Sequence, residues 1–156
     1  MLWKDDEMGQ MDELVNDLRL LVAGAYARLG EMRESEAEQP ISPGKWSRKE
    51  IVGHLIDSAA NNHQRFVRGQ QATTVSLPGY EQAAWVDSQR YGLASWEDLL
   101  DLWRSYNRHL QHVIQAIPAA CLGHRCVIDE ADPVTLQFLA EDYVEHLRHH
   151  VRQMLD

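Results

Sequence analysis

Positive charge is scarce in this chain: 15 Lys and Arg stand against 24 Asp and Glu, a formal charge of −9 over 156 residues. A protein of that sign gains nothing from the field of a nucleic-acid backbone or an anionic membrane, so neither is an expected partner. Cysteine is nearly absent as well. Two thiols, Cys121 and Cys126, cannot build a disulfide framework. No apolar run approaches the ~20 residues of a membrane span. The opening residues, Met1-Leu2-Trp3-Lys4-Asp5-Asp6, lack the apolar stretch of a signal peptide, so a cytoplasmic location is the expectation. Internal repeats and low-complexity tracts are missing too, which excludes solenoids and disordered arrays. The remainder, 44% hydrophobic and 25% charged, has the composition of an ordinary folded protein, and 1–156 is the length of a single domain.

What is present is helical periodicity and an excess of histidine, eight residues in all. Leu14, Val15, Leu18, Leu21, Val22, Ala25, Leu29 and Met32 follow the spacing of one helix face and predict a first helix over about 12–32. The charged stretch 33–40 that follows reads as a solvated loop. Ser47-Arg48-Lys49-Glu50 is a capping box, with Trp46 and Ile51 placed as a hydrophobic staple. It opens a second helix that runs to Phe66 or Val67 and stops near Gly69, where a left-handed cap is inexpensive. Residues 70–94 form a long connection with a short helix over about 82–88, and connections of that length usually cover a site. Ser95 caps a third helix that ends at Pro118. A second connection over 119–132 holds a short extended piece at 126–128. The last helix begins near Asp132-Pro133, or with Thr135 as its cap, and continues almost to the last residue. With no sustained strand pattern, the expectation is an all-α four-helix bundle with long connections between helices 2 and 3 and between helices 3 and 4. Trp3, Trp85, Trp96 and Trp103 read as core and interface aromatics.

At 100° per residue, the wheel of the last helix with Leu136 at zero puts Tyr143 at about −20°, His150 at about −40° and His146 at about −80°. His149 turns away to about −140°. On the second helix, with Ile51 at zero, His54 lies near −60°, beside Ser58, Asn61 and Arg65. Both helices therefore carry a polar strip with histidine along one flank of the apolar face. Three neutral imidazoles from two helices bind a divalent first-row ion and leave a position open. Three separately satisfied histidines explain the same pattern, and the spacing does not choose between them. His109 on the third helix is a further candidate ligand. Cys121 and Cys126 read as two reduced thiols, since Cys-x4-Cys lacks the second ligand pair of a zinc knuckle.

Gly44-Lys45-Trp46-Ser47-Arg48-Lys49-Glu50-Ile51-Val52-Gly53-His54-Leu55-Ile56-Asp57-Ser58, followed by Asn61-Asn62 and Arg65-Phe66, resembles the second helix of the DinB/YfiT-like superfamily. The run from Thr135-Leu136 through Asp142-Tyr143-Val144-Glu145-His146 to His149-His150-Val151-Arg152-Gln153 resembles that family's last helix. The resemblance implies a four-helix bundle with a divalent metal, most often zinc or nickel, held by one histidine of the second helix and two of the last. By position these are His54, His146 and His150. It further implies a thiol-dependent transferase or a hydrolase acting on a small molecule, with a low-molecular-weight thiol (bacillithiol, mycothiol or glutathione) as co-substrate, and a homodimer. The metal would activate the thiol or a water. On that reading Asn61, Arg65 and Tyr143 are candidates to hold the substrate, and Asp57 and Asp142 are candidate carboxylates behind the ligands. No residue stands out as a general base, so a non-catalytic metal-binding stress-response module is the alternative.

Overall fold

Ser47 caps the second long helix as its sequence predicts. Its Oγ accepts the Glu50 backbone N–H at 3.3 Å, and the Glu50 carboxylate accepts the Ser47 N–H at 2.7 Å. The structure, a computed structural model, describes residues 2–156, with side chains from residue 9 onward. Its helices are α1 (Leu2–Gly30), α2 (Glu34–Ala37), α3 (Arg48–Arg68), α4 (Gln82–Gln89), α5 (Trp96–Gln115) and α6 (Leu136–Leu155). Ser95 caps α5 by accepting the Asp98 N–H at 3.2 Å, and Thr135 caps α6 by accepting the Phe138 N–H at 3.0 Å. The choice between Asp132 and Thr135 is thus made by a hydroxyl three residues before the first free amide.

Four long helices form the bundle. α1 and α3 each pack against both α5 and α6, so α1 and α3 lie across from one another. Leu18, Leu29, Ile51, Leu55, Trp103, Leu110, Leu136 and Leu147 fill the interior. Trp96 and Trp103 are buried, Trp85 is exposed, and the Trp3 side chain lies outside the described residues. No described helix is long and apolar enough to cross a membrane.

Three features depart from the sequence reading. The two connections form a small sheet, in which β1 (Thr74–Leu77) runs parallel to β2 (Arg125–Ile128) and β2 antiparallel to β3 (Val134–Thr135). The extended piece expected at 126–128 is β2, whereas β1 and β3, at four and two residues, are too short to show alternation and take their meaning from pairing with it. The stretch 33–40 contains a helical turn, α2, because Glu36 accepts from the Arg33 backbone at 3.0 Å and Ala37 is buried. Gly69 is right-handed at φ −61°, not left-handed. Its glycine is required by crowding, since a Cβ there would lie 2.8 Å from both the Arg65 carbonyl oxygen and Leu136 Cδ1.

Gly53 is tighter still. A Cβ would fall 2.0 Å from Cδ2 of Tyr91, whose ring occupies the space beside the α3 backbone at this position. Gly53→Ala is expected to displace that ring and to lower unfolding stability by about 1–3 kcal/mol, the usual range for overpacking. Urea unfolding of the variant measures it, and an unchanged midpoint would mean that the ring moves aside freely.

Candidate functional site

α3 and α6 run antiparallel, so the early turns of α3 face the late turns of α6. That arrangement brings His54 to the pair His146 and His150, which are spaced by one helical turn. One ligand atom from each ring lies within 4.8 Å of the others. Nε2 of His54 and Nε2 of His146 approach to 3.0 Å. Ring centroids are separated by 4.9 Å for His54–His146, 4.8 Å for His54–His150 and 4.6 Å for His146–His150. Two of the three outer nitrogens have partners. Nδ1 of His146 lies 3.4 Å from the Ser58 hydroxyl, and Nδ1–H of His150 donates to Gln153 Oε1 at 2.8 Å. Nδ1 of His54 is buried without an acceptor, beside the tilted Trp46 ring.

Burial keeps these rings neutral. Desolvation, reinforced by the neighbouring imidazoles, pushes His54 and His146 down to about 4. His150 is lowered by burial too, with the Gln153 hydrogen bond opposing and His149 adding to the shift. An ordinary imidazole titrates near 6.5, from which metal release would be expected as pH falls through about 6. Here the rings resist protons, so release moves to lower pH. The same shift sets the stability of the metal-free chain. Between about 4 and 6.5 the unfolded rings bind protons that the folded rings refuse, so stability falls as pH drops through that window and is flat above it. Urea unfolding of metal-free protein at pH 7, 5.5 and 4.5 tests this; equal midpoints would contradict it.

One side of the triad opens into a cavity of about 250 Å³. His146, Ser58, Asn62, Arg65, Asp142 and Tyr143 form its bundle wall, and Gly79, Tyr80 and Asp129 of the connections close it. The long connections therefore cover a site, as their length predicts. Asp129 holds this wall in place, accepting the Gly79 N–H at 2.8 Å from a left-handed backbone at φ 53°.

The candidate residues do not all gather here. Arg65, Asp142 and Tyr143 line the cavity, but Asn61 faces a neighbouring groove with its amide on the Asp57 carbonyl at 2.9 Å. Tyr143 is buried and donates to Asn107 Oδ1 at 2.6 Å, so its hydroxyl ties α6 to α5 and only its ring meets the cavity. Asp57 does not back a ligand. It is buried three residues beyond His54, and its carboxylate accepts from Tyr91 at 2.6 Å and Gln89 at 2.8 Å, which pins the 89–91 turn to α3. Asp142 is exposed at the cavity rim. The residues that do contact the outer nitrogens are Ser58, placed on the polar strip beside His54 but given no role by the sequence, and Gln153, which looks like an ordinary flank position. Their signal was spacing: Ser58 follows His54 by four and Gln153 follows His150 by three. His109 stacks edge-on against His63 at 5.1 Å, away from the triad. Cys121 and Cys126 are free thiols, the latter buried in β2.

The residues present fit a divalent ion. Three neutral imidazoles, two with an outer partner that fixes the ring, make up the donor chemistry of a first-row metal site. The comparisons with known proteins agree. The chain is 22% identical over 148 residues to YfiT of Bacillus subtilis (strain 168), a candidate metal-dependent hydrolase, across 94% of this chain and 83% of that protein. The solved structure of YfiT from Bacillus subtilis, described as having an unusual four-helix bundle topology, matches with a TM-score of 0.86 at 21% identity, over 94% of this chain and 85% of the other. A mycothiol-dependent maleylpyruvate isomerase matches with a TM-score of 0.76 at 11% identity, over 92% of this chain and 60% of its own. These structural likenesses show the fold. Membership follows from the family model of the DinB superfamily, which matches residues 13–154: the chain belongs to that superfamily.

Proposed function

We propose that this chain is a divalent-metal-dependent enzyme that carries out hydrolysis or thiol transfer on a small molecule. The observation that carries the reading is the donor set. Among the described residues it stops at three histidines, and the cavity begins at one of them, His146. A structural metal site is normally closed by a fourth protein ligand, whereas a catalytic one keeps a position for water or substrate. The kinship with a candidate metal-dependent hydrolase and the fold shared with a mycothiol-dependent isomerase support the same class.

His54, His146 and His150 hold the ion, with zinc or nickel as the proposed metal. A bound ion lowers the pKa of a coordinated water or thiol and so supplies a nucleophile at neutral pH. The chain's own residues do the rest. Ser58 and Gln153 fix the rings of His146 and His150, and Phe66 packs edge-on against Tyr143 at 5.8 Å to support the cavity floor. Gly79, Tyr80 and Gln82 of the long connection complete the cavity lining beside His146. A cytoplasmic homodimer belongs to the same proposal. Its support is the free state of both thiols and the apolar exposure of Trp85 and Leu93, at 38% and 82%.

The test is turnover. Metal-loaded protein is assayed with activated esters and amides in water, and with an electrophile panel in the presence of bacillithiol, mycothiol or glutathione. Turnover that disappears on chelation and returns with Zn2+ or Ni2+ supports the proposal. A loaded chain that turns over none of these contradicts it and assigns the site to a non-catalytic metal-binding module.

A further inference from the structure

Arg65 is placed in the cavity wall without a partner in the protein. Its Nε is buried and meets no acceptor, and among the described residues it forms no ion pair. The nearest acidic wall residues are otherwise disposed: Asp129 is engaged by the Gly79 N–H, and Asp142 is exposed at the rim. Burial lowers the Arg65 pKa, with Tyr80, Asp129 and Asp142 opposing at longer range, and an arginine remains charged regardless. A half-buried guanidinium offers five donors in a planar fork that matches a carboxylate in two parallel hydrogen bonds. Nε alone is shut off from solvent without an acceptor, and the terminal nitrogens, unpaired among the described residues, are free to meet a group that enters the cavity.

Position narrows the ligand. Ser58 and Arg65 are seven residues apart on α3, roughly 10 Å along its axis, and Ser58 touches His146. The cavity thus has the triad near one end and a cation near the other. Arg65 also borders an adjoining groove of about 370 Å³ with Arg68, Leu77 and Pro78. The part of the cavity remote from the triad therefore holds the wall's one cation among the described residues, Arg65, with the Asp129 and Asp142 carboxylates also in its lining.

We propose that Arg65 recognises a carboxylate, and that the molecule taken by this site carries a carboxylate at one end and its reacting group at the other. The assignment of the reacting end rests on the metal-enzyme reading; recognition by Arg65 does not. The probes are glutarate and its uncharged counterpart glutaramide, titrated by ligand-observed NMR into both metal-loaded and metal-free protein. Glutarate is expected to bind about 10- to 100-fold more tightly than glutaramide in both forms, the range for a charge-assisted pair. Arg65→Gln is expected to bring the two ligands level, and Arg65→Lys to keep part of the preference, since it retains the charge without the fork. Metal content of each sample is measured alongside and should be unchanged by either substitution. Undetectable glutarate binding, equal affinity for the two ligands, or a preference that survives Arg65→Gln overturns the inference. An Arg65-dependent preference in a chain that takes up no ion would instead remove the metal reading and leave carboxylate recognition standing.

Discussion

His54→Ala is expected to weaken divalent-metal binding by well over 100-fold. The lower bound comes from the outer partners of metal ligands, whose loss alone costs about 10- to 100-fold in affinity. His54 is the sole member of the triad supplied by α3, and its Nε2 lies 3.0 Å from Nε2 of His146. Without it, two imidazoles one turn apart on α6 remain, and they hold an ion as an open pair. Ser58→Ala removes only the hydroxyl 3.4 Å from Nδ1 of His146, so it should fall within the 10- to 100-fold band. The graded order, with His54→Ala far worse than Ser58→Ala, separates a metal centre from a set of independently satisfied histidines. Competition with a chromophoric chelator measures both variants. Equal affinities in wild type and His54→Ala would place the ion elsewhere. The substitution is expected to leave the fold intact, because removing a desolvated polar ring with an unpaired Nδ1 relieves a cost as it opens a cavity.

Lys49→Ala is expected to have the largest effect on stability, about 3 kcal/mol. Lys49 is 1% exposed, an unusual state for a lysine. Its ammonium donates to Glu34, to Glu38 at 3.2 Å and to the Ala94 carbonyl at 2.6 Å. Burial works against its charge, yet the hydrogen bonds and attraction of Glu34 and Glu38 outweigh it and hold the pKa above the usual lysine value. One side chain thus fastens α2, the start of α3 and the entry to α5. Removing it strands the Ala94 carbonyl, whereas both glutamates are half-exposed and can turn to water. That asymmetry keeps the loss near the lower end for a broken buried pair. Glu34→Gln should therefore cost much less than Lys49→Ala. Urea unfolding of the two variants is the measurement; a Lys49→Ala midpoint equal to wild type would show that the bridge has no structural role.

The contrast between His54 and Lys49 shows what the sequence reveals and what it hides. Long amphipathic helices announce themselves, because apolar spacing and a hydroxyl three residues before a free amide are local signals. Ser47, Ser95 and Thr135 were all legible for that reason, and the wheel positions of His54, His146 and His150 followed once the helices were drawn. Lys49 was not legible: in the first turn after a cap it looks solvated, and only the return of the 33–38 segment over α3 buries it. The same applies to β1 and β3, whose few residues acquire meaning only by pairing with β2, the one strand whose extended core at 126–128 was legible. Asp57 shows the reverse error. Its distance from His54 along α3 fitted a carboxylate behind a ligand, but the Tyr91 ring packed on Gly53 brings a hydroxyl to it first.

Three histidines from α3 and α6 holding one divalent ion should be visible in the metal content of the protein. Elemental analysis of purified, folded protein, before and after incubation with Zn2+ or Ni2+ and removal of excess, tests it most directly. About one equivalent per chain is expected, as a three-histidine site would bind, falling to background in both His54→Ala and His150→Ala. A folded chain that takes up no ion under either condition, or variants that retain the full equivalent, would contradict it.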